Sequence, residues 1–248
     1  MTDAIVLAGG GVEPGLPAGL ATKALLEVGG RPLLAYVLAA LWGAPSVGRI
    51  AVVGPAAALE AAADVVAVPD RGAIMDNVVA ALEALRSADP VLVVAADIPL
   101  LTAQAVEEFL AACAKHSADF HYAIVPQEAI ERAFPGARKT FVRVADGTFT
   151  GGSVMRVNPA VIDRVRPFVE RIIASRKKPW LLAQVFGWAI VMKFASGRLT
   201  IAEMEAKVTE LLGITARAVI LPRPELALDV DMGKPENLEI LGAALARR

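Results

Sequence analysis

The chain has 248 residues with 25 Lys+Arg against 26 Asp+Glu, a formal net charge of -1. That balance supplies no field to draw in a polyanion and excludes a nucleic-acid-binding reading on charge. Hydrophobic residues make up 56% and aromatics only 5%, with a mean hydropathy of +0.54, so the apolar mass is mostly Ala, Val, Leu and Ile, as in buried parallel strands and packed helices. The single cysteine, Cys113, excludes an intrachain disulfide and a cysteine-built zinc site.

In chain order, apolar runs at Ala4 to Ala8, Ile50 to Val53, Val65 to Val68, Val91 to Ala95, Tyr122 to Val125 and Ala218 to Leu221 read as strands. Between them, Pro32 to Trp42, Asn77 to Arg86 and Thr102 to Lys115 carry helical spacing, the last with Thr102 placed as N-cap. The alternation predicts one α/β domain over residues 1–248, a mainly parallel sheet covered on both faces. From about residue 126 the regularity weakens through Pro135, Gly136, Gly147, Gly151 and Gly152, and a helical region follows from Pro159 to Leu212. Residues 126–215 are therefore expected to form an insertion or lid that selects an acceptor. Trp180 to Phe194 falls short of the roughly 20 apolar residues that span a bilayer. It fits a buried helix or an amphipathic helix on a membrane surface, so peripheral membrane contact through 180–194 stays open. The N-terminus shows no signal-peptide pattern, and the expected compartment is the cytoplasm.

In a sheet of this type ligands bind at the carboxyl ends of the strands, where loops converge. Three loops follow such ends: Leu7-Ala8-Gly9-Gly10-Gly11, Asp97-Ile98-Pro99, and Asp231 after the strand-like Leu226 to Val230. Glycines in the first would let backbone N–H groups approach phosphate oxygens, although a tight turn explains them equally. The spacing matches neither a Gly-x-Gly-x-x-Gly fingerprint nor a P-loop. Asn77 is a candidate for base or ribose contact, or a helix cap. Lys139 and Arg143, four apart on an expected strand, share a face and form a candidate site for an acceptor's phosphate, or else a solvated basic edge. His116 and His121 have no recognised metal spacing.

The glycine loop is followed by Thr22-Lys23-Ala24-Leu25-Leu26 and Gly29-Gly30-Arg31-Pro32-Leu33-Leu34, and the chain later carries Ala95-Ala96-Asp97-Ile98-Pro99, Gly147-Thr148-Phe149-Thr150-Gly151-Gly152-Ser153 and Leu228-Asp229-Val230-Asp231-Met232-Gly233-Lys234-Pro235-Glu236-Asn237-Leu238. In this order the segments resemble the MobA-like NTP transferases, from Ile5 to Leu241. The resemblance implies a three-layer α/β/α nucleotidyltransferase fold, GT-A-like and Rossmann-like. It also implies that Lys23 meets the triphosphate, that Asp97 and Asp231 hold Mg²⁺, and that Gly151 and Gly152 lie on the acceptor side, a plain turn being the alternative. A carboxylate at the end of a buried strand is costly unpaired, and a hard cation is a good partner for it.

The sequence departs from the family pattern at three places. The glycine loop has no arginine, for which Arg71 is the candidate substitute. One extra residue precedes Pro235, and Asn237 stands where the family usually has Asp. The activity implied is transfer of NMP from an NTP, GTP or CTP favoured, to a phosphorylated small-molecule acceptor with release of pyrophosphate. A homodimer is the base-rate expectation. The alternatives are a glycosyltransferase using Asp229-Val230-Asp231 as an Asp-x-Asp motif, and a catalytically silent nucleotide sensor.

Overall fold

The structure, a computed structural model, describes residues 1–10, 14–175 and 185–247. In chain order the regular elements are β1 (Thr2–Leu7), β2 (Glu27–Val28), β3 (Arg31–Pro32), α1 (Leu33–Trp42), β4 (Val47–Gly54), α2 (Ala56–Glu60), β5 (Val66–Pro69), α3 (Ile74–Leu85), β6 (Val91–Ala95), α4 (Ala103–Cys113), β7 (Phe120–Pro126), α5 (Gln127–Ala133), β8 (Val142–Val144), β9 (Gly147–Val157), α6 (Ile162–Ser175), α7 (Trp188–Ala195), α8 (Ile201–Leu212), β10 (Ala216–Ile220) and α9 (Pro235–Leu245).

Among the described residues the main sheet has eight strands in the order β10-β7-β9-β6-β1-β4-β5, with β8 added to β9. The pairs along β1, β4, β5 and β6 are parallel, as is β7 with β10. β9 runs antiparallel to both β6 and β7. The pleat sends alternate residues to opposite faces. Ala4, Val6, Leu92 and Val94 pack under Leu34, Leu38 and Leu41 of α1 and Phe109 of α4. Ile5, Ala51, Val53 and Val93 pack under Val78, Ala81 and Leu85 of α3 and Ile162 and Val165 of α6. Both faces are thus covered, giving the three-layer α/β/α arrangement. A third cluster, with Leu26, Val28, Leu33, Leu100, Leu228, Val230 and Leu241, anchors the C-terminal segment and α9.

All six strands read from the sequence are present, as are the three helices, with Thr102 capping α4 through its hydroxyl, which accepts from the Ala105 N–H at 3.1 Å. The strand-like Leu226 to Val230 is not a strand. It begins in a 3-10 turn at Pro224–Leu226, and Leu226 and Ala227 enter the first cluster and Leu228 and Val230 the third without a partner strand, so burial alone produced the strand-like pattern. The expected insertion at 126–215 is partly built into the sheet, because β9 is the strand between β6 and β7. Its glycines looked like turn punctuation, but close packing requires one of them. A Cβ on Gly152 would lie 2.9 Å from both Ala123 Cβ and Ala123 O, and 3.1 Å from Leu226 O.

Of the segment 180–194, residues 180–184 lie outside those described. The buried-helix expectation fails for the rest. α7 contains no buried residue, and Trp188, Met192 and Phe194 are exposed. Among the described residues no helix is long and apolar enough to cross a membrane.

Gly152→Ala is expected to destabilise the fold by roughly 1–3 kcal/mol, because two of the three atoms it meets are backbone carbonyls that cannot rotate away. Urea unfolding of the two proteins measures this directly, and an unchanged midpoint would show that β7 and β9 are less tightly apposed than described.

Candidate functional site

The carboxyl edges of β1 and β6 frame a cleft of about 230 Å³ lined by Leu7, Ala8, Gly9, Gly10, Lys23, Asn77 and Asp97, among others. The first loop is fixed by its backbone. Ala8 N–H donates to Val53 O at 2.8 Å and Ala96 N–H to Leu7 O at 3.1 Å. The buried Thr22 hydroxyl donates to Ala8 O at 2.7 Å. Gly10 has φ +121°, a conformation open to glycine at little cost. Gly11 lies outside the described residues.

Asp70, after β5, ties this loop to the start of α3. Its Oδ1 accepts from Gly72 N–H and Asn77 Nδ2, each at 2.8 Å. A Cβ on Gly9 would sit 2.5 Å from Asp70 Oδ2, so glycine there admits the carboxylate. The Gly72 N–H, the Asn77 amide and the Gly10 N–H together hold the Asp70 carboxyl below its ordinary value, against the opposing effect of burial. Asn77 is buried, and its Oδ1 accepts from Arg71 N–H at 2.7 Å. It therefore lines the cleft while bracing the loop, and it does not cap α3, whose N-cap is Ala73. Arg71 is exposed and does not line the cleft; its neighbours Gly72 and Ile74 do.

Lys23 and Asp97 meet at the floor of the cleft. Thr22 caps a single 3-10 turn, Lys23–Leu25, and Lys23 Nζ lies 2.8 Å from Asp97 Oδ2 with the two side chains 16% and 19% exposed. Asp97 Oδ1 is buried with no hydrogen-bond partner. Burial raises the Asp97 carboxyl above its ordinary value, Lys23 opposes this, and the charge of Asp229 adds to it. The peptide carbonyl of Asp97 accepts from Val230 N–H at 2.8 Å, which brings the Asp229-Val230-Asp231 segment against the β6 loop.

The two aspartates of that segment serve different lysines. Asp229 pairs with Lys139. Asp231 Oδ2 lies 2.8 Å from Lys234 Nζ, and its Oδ1 accepts from Gly233 N–H at 2.9 Å. The Lys234 hydrogen bond is the main reason the Asp231 carboxyl is held below its ordinary value, with the charge of Lys23 contributing. The extra residue before Pro235 is thus absorbed in a turn that neutralises Asp231. The segment is not a strand, and its two aspartates are held by separate lysines.

Lys139 is likewise not on a strand with Arg143. It lies in the loop before β8, whereas Arg143 is exposed on β8. Gly151 admits Tyr122 from β7, since a Cβ there would sit 2.2 Å from the Tyr122 hydroxyl. Burial, and then the charge of Asp229, push the Tyr122 phenol up. Tyr122 carried no sequence signal, because its place beside Gly151 and Asp229 comes from tertiary contact; Lys234, three residues after Asp231, is a local turn contact that the sequence reading passed over. Among the described residues, no group of three or more His, Cys, Asp and Glu side chains is placed to hold a metal ion unaided.

A family model described as MobA-like NTP transferase domain matches residues 4–146. Among solved structures, a hypothetical transferase from Thermus thermophilus is 38% identical, with TM-score 0.85, over 96% of this chain and 99% of that one. CMP:2-keto-3-deoxy-manno-octonic acid synthetase, in complex with CTP, superposes with TM-score 0.61 over 100% of this chain and 99% of that one. At 16% identity that likeness is one of fold. Comparison with curated proteins finds no match.

The depressed Asp70 carboxyl contributes stability that is present above its ordinary value of 3.8 and lost as pH falls through its lower folded value. Asp70→Asn is expected to flatten that acid limb and to cost about 1 kcal/mol at neutral pH, since one amide face now meets donors. Urea unfolding between pH 2.5 and 7 reads both effects. Parallel acid limbs in the two proteins would remove Asp70 from the loop's electrostatics.

Proposed function

The chain belongs to the MobA-like NTP transferase family, and from that premise we propose that this nucleotidyltransferase moves a nucleoside monophosphate from an NTP to the phosphate of a small-molecule acceptor, releasing pyrophosphate. The observation that carries this reading is the pairing of Lys23 with a buried Asp97 at the floor of a glycine-lined cleft, with one Asp97 oxygen left unpartnered.

That oxygen also tests whether Mg²⁺ fits. The ion is a hard cation that commonly takes one or two carboxylates and completes its shell with water and substrate phosphates. Asp97 and Asp231 would hold it, Asp231 exchanging Lys234 for the ion. When bound, it would neutralise charge on the phosphate oxygens as it develops.

The remaining steps belong to the chain's own groups. N–H groups of the Gly9-Gly10 loop bind phosphate oxygens, and Ala8, Asn77 and Ile74 enclose the nucleoside. GTP and CTP are the favoured donors. Lys23 turns from Asp97 to the triphosphate and stabilises charge on the departing pyrophosphate. Lys139, which pairs with Asp229, takes the acceptor's phosphate. An oxygen of that phosphate attacks the α-phosphorus in line as the bond to pyrophosphate breaks, so no protein nucleophile takes part and catalysis is positioning plus charge stabilisation. An Asp-x-Asp glycosyltransferase site is less well supported, because Asp229 and Asp231 are directed to separate lysines.

Thermal unfolding with GTP, CTP, ATP or UTP, each with and without Mg²⁺, tests the donor site. A nucleotide at about a hundredfold its Kd stabilises by roughly 2.7 kcal/mol. The expected result is Mg²⁺-dependent stabilisation by GTP or CTP that disappears in Asp97→Ala. Pyrophosphate release is expected to fall at least about 10²-fold in both Asp97→Ala and Lys23→Ala, each still folded. A folded Asp97→Ala protein with full activity would sink the mechanism.

A further inference from the structure

Asn237 is fully buried in the first turn of α9, and no step above uses it. Both ends of its side-chain amide are bonded to one residue. Oδ1 accepts from the Arg138 N–H at 2.7 Å, and Nδ2 donates to the Arg138 carbonyl at 2.9 Å. The amide therefore reads both backbone polar groups of one residue of the loop, as a neighbouring strand would. The next residue is Lys139, whose ammonium pairs with Asp229 and whose side chain is 11% exposed. The loop holding Lys139 has no regular structure, running from the end of α5 to β8. Besides the clamp, the loop is held by the Ala137 N–H, which donates to Phe134 O at 3.0 Å within the same loop, by packing of Phe134 against the third cluster, of Ala137 against the first and third and of Phe141 against the first, by the Lys139–Asp229 pair, and by the Arg138–Glu236 ion pair at 3.5 Å, whose side chains are 70% and 48% exposed. Such an exposed pair contributes little.

We propose that Asn237 is a positioning residue for the acceptor side of the site, fixing the Arg138 backbone so that the ammonium of Lys139 is delivered beside Asp229. The proposal rests on the acceptor role given to Lys139 above only for its functional consequence; the clamp itself stands on the Asn237 geometry. It also accounts for asparagine where the family usually has aspartate. The partner presents a donor and an acceptor side by side, and an amide satisfies both. A carboxylate accepts only, so one oxygen would face the Arg138 carbonyl in a fully buried place.

Brief acetylation of the intact protein with dilute acetic anhydride, read at each lysine by mass spectrometry, follows the position of Lys139 without needing the acceptor. In the wild type Lys139 is expected to react slowly. In Asn237→Asp, isosteric but unable to donate, Lys139 is expected to react about tenfold faster, equivalent to about 1.4 kcal/mol of lost protection. Lys207, on α8 with its side chain 20% exposed, should keep its wild-type rate. General loosening would instead accelerate both. If Asn237→Asp does not fold, Asn237→Ser, whose hydroxyl is too short to bridge both groups, carries the same readings. A folded variant in which Lys139 stays protected overturns the clamp, as does uniform acceleration of every lysine. The nucleotide arm separates the two readings. Mg²⁺-dependent stabilisation by GTP or CTP should persist in the variant, so its absence in the wild type too would count against the proposed function and leave the clamp to be decided by Lys139 alone.

Discussion

The site is organised around the carboxylate of Asp97, placed where water is largely excluded. β6 delivers it from a strand whose first four residues are buried between two helical layers, and an ionised group in such surroundings is costly unless it is paired. Lys23 supplies one partner and the other oxygen has none. Asp229 adds a second negative charge close enough to raise the Asp97 carboxyl further. A fold selected for stability alone would put a neutral, well-packed side chain there. Keeping a desolvated acid at the cleft floor is the kind of local cost that functional sites carry.

What holds the surrounding loops is a set of polar side chains bonded to backbone. Thr22 reaches Ala8, Asp70 reaches Gly72 and Gly10, Asn77 reaches Arg71, and Asn237 reaches Arg138. Each belongs to one loop or helix start and grips a different segment or turn. Loops cannot bury their backbone polar groups unpaired, so these bonds satisfy the main chain and set the loop shapes together. The result is a rim assembled from short-range turns but fixed by contacts between segments far apart in sequence.

This explains what was legible in the sequence. The glycine loop, Lys23 and Asp97 each announce themselves locally, by a strand end, a glycine run or a lysine after a Thr, and the structure brings them to one cleft. β9 was obscured because Gly151 and Gly152, which give way to Tyr122 and to the Ala123 backbone, look like turn residues until the neighbouring strand is known. Leu226 to Val230 misled in the opposite sense. Its alternation reflects burial in the first and third clusters rather than sheet pairing. The Lys139–Asp229 pair spans 90 residues of sequence, and nothing in the local pattern of either residue points to the other.

The charges at the edge form three acid–lysine pairs, Asp97 with Lys23, Asp229 with Lys139 and Asp231 with Lys234. Without ligands such a site is close to neutral, and each carboxylate is compensated. Under the proposed function an arriving triphosphate draws Lys23 away from Asp97, and the acceptor's phosphate draws Lys139 away from Asp229. The first exchange would leave behind, in Asp97, a carboxylate whose burial makes it costly to isolate, a need that a divalent cation would meet. On the proposed function nucleotide, acceptor and cation binding would then be linked through these carboxylates, and linkage of this kind is reciprocal: whatever the cation adds to nucleotide affinity, the nucleotide must add to cation affinity. On that reading the lysines compensate the acids of the unliganded protein, and their departure would make those acids available to a metal only when the substrates are present.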